Sequence, residues 1–195
     1  MNTHMRNLSV LTMLVMVTTA SANASELSSS AQVTVRDLEP QTVLYTIYRG
    51  SYQGIGQAYG KLYGLAGAKR LPLTGEGLTV HLNCPQNTTE THLLTEVRLS
   101  VPESALSLAG SLGPMTDVKS VPGVKVAVAV KPAGVGSPEG IEKIVKTLYA
   151  WIYKNDYTVI DAPMQRVLSG TKTHDYTQMK VEYLIPIAKP DDIMN

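Results

Sequence analysis

One phrase is written twice in this chain. "GSYQGIGQAYGKLYGLA" occupies Gly50–Ala66, and "GSPEGIEKIVKTLYAWI" occupies Gly136–Ile152, 86 positions later. Gly50, Ser51, Gly54, Ile55, Leu62 and Tyr63 recur as Gly136, Ser137, Gly140, Ile141, Leu148 and Tyr149. The apolar positions also carry over: Ile55, Ala58, Tyr59, Leu62, Leu65 and Ala66 become Ile141, Ile144, Val145, Leu148, Trp151 and Ile152. Both sets follow the i, i+3, i+4, i+7 spacing of one helical face, so each phrase predicts an amphipathic helix. Ser51 and Ser137 stand where an N-cap hydroxyl would accept from an orphaned first-turn N–H, and Pro138 suits the first helical position.

The duplication extends beyond the helices. "VLYTIYR" (Val43–Arg49) and "VKVAVAVKP" (Val124–Pro132) precede them as β-branched runs ended by turn residues. "LTVHLN" (Leu78–Asn83) and "MQRVLS" (Met164–Ser169) follow, then "TEVRLSVP" (Thr95–Pro102) and "KVEYLIPI" (Lys180–Ile187). An extra strand leads each copy, "QVTVRDL" (Gln32–Leu38) and "MTDVKSV" (Met115–Val121), and "VPG" (Val121–Gly123) predicts a hairpin from the second leader into the next strand. The expected fold is α+β: duplicated strand-helix-strand-strand modules, at about 32–102 and 115–188, in a largely antiparallel sheet of about eight strands with two helices. Two copies of so long a period indicate one internally duplicated domain over 25–188 rather than a solenoid. Residues 189–195 are expected to form a flexible tail.

The chain has 195 residues, and the first 24 read as a secretory signal peptide. Arg6 gives the basic region, Leu8–Val17 a short apolar region, and Ala22-Asn23-Ala24 a cleavage site. Export, with the bacterial periplasm as destination, is therefore expected. No later segment is apolar enough over sufficient length to span a membrane. The formal charge of +1 gives no electrostatic case for nucleic acid or acidic lipid. Cys84 is the only cysteine, which rules out an internal disulfide. His81, His92 and His174 lack metal-ligand spacing, so no metal is expected.

The layout resembles the GyrI-like (gyrase-inhibitory-protein-like) domain, also the effector-binding part of AraC-type and MerR-type drug-responsive regulators. "LTVHLNCPQNTTETHLLTEVRLSVP" (Leu78–Pro102) carries the resemblance most clearly. Leu82-Asn83-Cys84-Pro85 stands for the family's strand-ending Tyr-x-Asp/Asn-Pro, Thr88-Thr89-Glu90 for its Thr-Pro-Glu-Glu-like turn, and Thr95–Pro102 for its strand ending in an apolar-Pro. The resemblance covers nearly all of residues 32–188. It implies a saddle-shaped sheet with both helices on one face, and a groove on the pseudo-twofold axis for hydrophobic, often aromatic or cationic, small molecules. One family branch hydrolyses cyclopropane-bearing natural products. SOUL-type haem-binding domains share the topology, but no His here is placed as an axial ligand, and no cofactor is expected.

The chain departs from the family where ligand-binding members carry a buried Glu. Gln165-Arg166-Val167-Leu168 and Thr79-Val80-His81-Leu82 hold no carboxylate. A buried carboxylate pairs a cation or serves as an acid of raised pKa, and Gln165 can do neither. Ten tyrosines and no phenylalanine suggest surfaces for flat, partly polar ligands. The candidate ligand-binding residues are Tyr48, Tyr52, Glu96, Trp151, Gln165, Glu182 and Tyr183. Glu96 and Glu182 are repeat mates, and Glu182 is the working group if the protein is a hydrolase. Tyr45 and Tyr48 are expected on opposite sheet faces. The reading is an exported domain binding a small apolar or aromatic molecule. A hydrolase of reactive electrophiles and an envelope protein-interaction module are the alternatives.

Overall fold

The computed structural model describes residues 32–83, 85–169 and 175–193. The segment expected to be a signal peptide, Cys84 and His174 lie outside the described residues. The strands are β1 (Thr34–Leu38), β2 (Gln41–Arg49), β3 (Leu78–His81), β4 (Leu94–Val101), β5 (Thr116–Val121), β6 (Val124–Lys131), β7 (Thr158–Val159), β8 (Met164–Ser169) and β9 (Lys180–Ala188). The helices are α1 (Ile55–Ala68), α2 (Pro138–Lys154) and a single turn, α3 (Pro190–Ile193). All strand pairs are antiparallel, in the order β1-β6-β9-β8-β3-β4-β2-β5, with β7 added beside β9.

The two repeated phrases form α1 and α2; Ser137 caps α2 as expected, whereas Ser51 caps the single turn Tyr52–Gly54 that leads into α1, whose own N-cap is Gly54. Ser51 Oγ accepts from Gln53 N at 3.3 Å and Ser137 Oγ from Gly140 N at 3.1 Å. The glycine of the motif has a packing role in the first copy. Tyr48 lies under Gly54, and a Cβ there would collide with the tyrosine hydroxyl. Helix α1 buries Ala58, Leu62 and Ala66 against Leu44, Val97 and Leu99 of β2 and β4. Helix α2 buries Ile144, Leu148 and Ile152 against Ala127, Ala129, Ile185 and Ile187 of β6 and β9. Leu62 and Leu148 are 1% and 0% exposed, each contributing about 2 kcal/mol by burial. The cross-strand row Ala129–Tyr183–Gln165–Thr79–Val97 joins the two packing sites, so both helices sit on one face.

The pseudo-twofold axis passes between β3 and β8. Thr79 pairs with Gln165, its own repeat mate. The offset is 83 rather than 86 in the first strand of each module. Ile47 lies opposite Glu96, and Val130 lies opposite Glu182. The loop between that strand and its helix is thus three residues longer in the second copy.

The hairpin expected at Val121–Gly123 does not form. β5 pairs with β2, and β6 pairs with β1. Each leading strand therefore completes the other module. Val121–Gly123 turns the chain from one sheet edge to the other, and Gly123 lies so close to the Leu38 carbonyl that a Cβ would stand 2.9 Å from it. The turn signal was local, whereas the partner of each strand is set by which edges lie open after the two modules join. At the chain end, Lys189 Nζ donates to Asn155 O at 2.7 Å and lies 4.1 Å from the Tyr157 ring centroid.

Candidate binding groove

Alternation along the strands divides the candidate residues between two faces. Gln165, Tyr183 and Tyr48 share the helix-bearing face with Thr79, His81 and Thr95. Glu96, Glu182 and Tyr45 lie on the opposite face, with Met164, Val80 and Ile47.

On that opposite face each glutamate is clamped by two cations. Glu182 accepts from Arg36 Nη2 at 2.5 Å and from Arg166 Nη2 at 2.6 Å. Glu96 accepts from Arg98 Nε at 2.5 Å and pairs with Lys119 Nζ at 2.8 Å. Burial pushes the Glu182 carboxyl upward, but the hydrogen bonds and charges of Arg36 and Arg166 outweigh it and leave it below the usual range. A cavity of ≈ 650 Å³ opens on this face beside Leu38, Leu78, Leu184, Ser100, Glu76 and Arg166. Four of its polar groups pair with one another: Arg166 Nε with Glu76 at 3.3 Å, and Ser100 Oγ, which donates to Gln41 at 2.7 Å.

The helix-bearing face presents aromatic rings and neutral polar groups. The helices cover the outer strand pairs, leaving β3 and β8 as the floor of a groove. Thr79 and Gln165 lie at its centre, and His81 hydrogen-bonds the Gln165 side chain. Tyr59 of α1 leans onto this floor, its hydroxyl 3.1 Å from Thr79 Oγ1. Tyr63 stacks on Tyr59 with centroids 6.1 Å apart, and Tyr149 on Tyr153 at 6.4 Å. Because Tyr63 and Tyr149 are twofold mates, their flanks of α1 and α2 both border the groove. Tyr183 completes the floor beside Gln165, its hydroxyl 2.7 Å from that of Tyr176. Tyr52 stands edge-on to His81, with centroids 5.0 Å apart.

Burial favours the uncharged form of Tyr59, His81, Tyr176 and Tyr183. It pushes the Tyr59 phenol up to about 12, although the hydrogen bond with Thr79 opposes it. It raises the Tyr176 and Tyr183 phenols and lowers the His81 imidazole. Among the described residues, β3 and β8 place no carboxylate on this floor. Among the described residues no group of three His, Cys, Asp or Glu side chains could hold a metal ion.

The structure brings Tyr52, Gln165 and Tyr183 together in or beside the groove. Tyr48 packs inward beneath α1. Trp151 lies two residues from both Tyr149 and Tyr153, roughly 200° around the helix, and stacks on Tyr157 at 6.0 Å on the far flank. Lys131 was not anticipated from the sequence. It is 0% exposed, and its Nζ donates to the carbonyls of Met179, Val135 and Tyr176 at 2.6, 2.7 and 3.0 Å. Burial lowers its pKa, partly offset by Asp175. Lys131 thereby anchors Tyr176. The signal was present in the alternation, since Lys131 continues the inward series Ala127, Ala129.

Residues 31–188 match the family described as GyrI-like small molecule binding domain. The chain belongs to that family. Among solved structures, this GyrI-like domain is similar to EcmrR in its complex with DNA, with TM-score 0.65 and 13% identity over 86% of this chain and 62% of that one. It therefore spans less than two thirds of EcmrR. The EcmrR C-terminal domain alone gives TM-score 0.60 and 15% identity over 81% and 98% of the two chains. A hydrolase from Listeria innocua gives TM-score 0.57 and 10% identity over 82% and 93%. At these identities the likeness is one of fold. No curated protein matches the chain. Among the described residues, no helix is long and apolar enough to cross a membrane.

Proposed function

We propose that this GyrI-like domain is exported and captures an aromatic or apolar small molecule in the groove between α1 and α2. The carrying observation is the division of chemistry between the two sheet faces. The helix-bearing face offers stacked tyrosines over a neutral floor of Thr79 and Gln165, while Glu96 and Glu182 are spent on ion pairs opposite. Rings over a polar, uncharged floor suit a flat ligand with few hydrogen-bonding groups. Export rests on the leader, with Ser25 as the mature N-terminus. A carboxylate held low and away from the groove gives the hydrolase reading no acid.

Native mass spectrometry of the protein purified from its own cell envelope tests both parts. The expected result is a mass beginning at Ser25 plus a small aromatic adduct, lost from the double variant Tyr63→Ala, Tyr149→Ala. An uncleaved leader overturns export. A folded protein that carries no adduct and takes up no added aromatic compound overturns the groove reading.

A further inference from the structure

Two polar side-chain atoms on the groove face, His81 Nδ1 and Thr95 Oγ1, are buried and have no hydrogen-bond partner among the described residues. Thr95 is 0% exposed. The two residues are directly opposite each other on β3 and β4, with Tyr48 next across on β2. On one face of an antiparallel pair, opposite side chains stand about 5 Å apart at Cβ, so these two side chains are immediate neighbours. Each unmet buried polar atom is costly, and two in one place is a defect a folded chain rarely keeps without a use.

The chemistry of the pair defines what completes it. Gln165 hydrogen-bonds His81 and, since Nδ1 is unpartnered, does so through Nε2. With Nε2–H donated to the Gln165 carbonyl, the neutral ring leaves Nδ1 as a bare acceptor. That state is tolerated in a protein interior better than an orphaned N–H. The Thr95 hydroxyl both donates and accepts. A hydroxyl placed between them donates to His81 Nδ1 and accepts from Thr95 Oγ1, meeting both with one group. A quaternary cation meets neither, and β3 and β8 offer it no carboxylate. A bare hydrocarbon leaves both unmet. The rim is aromatic: Tyr52, 36% exposed, stands edge-on to His81.

We propose that the groove selects an uncharged aromatic ligand bearing a hydroxyl, which enters between His81 and Thr95 at the Tyr52 end. The proposal rests on the groove reading above and adds the ligand class and two specificity-determining residues.

Three naphthalenes that differ only in one substituent test it: beta-naphthol, naphthalene itself and beta-naphthyltrimethylammonium, each titrated against the full mature chain by equilibrium dialysis. The naphthol is expected to bind at least about tenfold more tightly than either of the others. Thr95→Val is nearly isosteric and suits a strand, so it keeps the fold while deleting the hydroxyl. It is expected to bring the naphthol close to naphthalene, as is His81→Leu. Equal binding of naphthol and naphthalene overturns the proposal while leaving the groove reading standing, and so does a naphthol advantage that survives in Thr95→Val. Tightest binding by the ammonium compound also overturns it. Failure of all three to bind the folded chain overturns the groove reading and the proposal with it.

Discussion

Arg36 and Glu182 are 146 positions apart and joined at 2.5 Å. Arg36 lies on the strand that opens the first module, and Glu182 on the strand that closes the second. Lys119 and Glu96 form the reciprocal pair. The register makes Arg36 and Lys119 true mates: Arg36 lies opposite Val126, and Lys119 opposite Val43, at the same offset of 83 that relates β2 to β6. The exchange of leading strands is thus secured twice, by a cation from one module on a buried carboxylate of the other.

This arrangement sets the response to acid. The folded-state pKa of Glu182 lies below its ordinary value, so its ion pairs contribute stability fully present above about pH 4.5. That contribution is lost as pH falls through the depressed folded value. Urea midpoints for wild type should therefore drop from pH 5 to pH 3. Arg36→Met should cost about 1–3 kcal/mol at pH 7, because it leaves Glu182 with one partner fewer in a buried site. Glu182→Gln should flatten the acid limb and leave aromatic binding unchanged.

The alkaline limb has a different origin. Tyr59 ionises near 12 in the fold and near 10 in the unfolded chain, so the folded state holds the proton more tightly. Stability should fall as pH rises from 10 towards 12. Tyr59→Phe should weaken this fall, at a cost of about 1 kcal/mol at neutral pH for the lost Thr79 bond. Absorbance at the phenolate band, followed with denaturation across that range, reads both effects.

Glycines of α1 and of its N-cap should fall into two classes. Nothing lies within 4 Å of a Cβ built at Gly56, Gly60 or Gly64. Alanine at each should raise stability by about 0.5–1 kcal/mol, through helix propensity and a less flexible unfolded chain. Gly54→Ala should instead destabilise by about 1–3 kcal/mol, because Tyr48 fills the space. Melting temperatures that move the same way for both classes would contradict this packing.

Lys131 should act as a fastener. Lys131→Met removes the donor shared by Val135, Tyr176 and Met179 and is expected to cost about 2–4 kcal/mol. Amide exchange should speed up at Val135 and around Tyr176–Met179, and hardly change in β3 and β4. Uniform acceleration across the sheet would show that the effect is global rather than local.

The sequence by itself determined the duplication, both helices, the serine cap of α2, and eight of the nine strands. Helix period, strand alternation and turn residues are local signals, each readable within about a dozen positions. It also singled out Thr79 and Gln165 as the places where a carboxylate is missing, and these two residues meet on the twofold axis. Tertiary structure decided the rest. Alternation separates Glu182 from Tyr183 but does not say which side receives the helices; the fold puts Tyr183 on the helix-bearing face and Glu182 on the other. The exchange of β1 and β5 depends on sheet edges that exist only after the modules join. The meeting of His81 with Thr95 depends on strand register, and the burial of Lys131 on three carbonyls, two of them more than forty residues away. A side chain's chemistry is written in its own residue, but its partners are chosen by contacts distant in the chain.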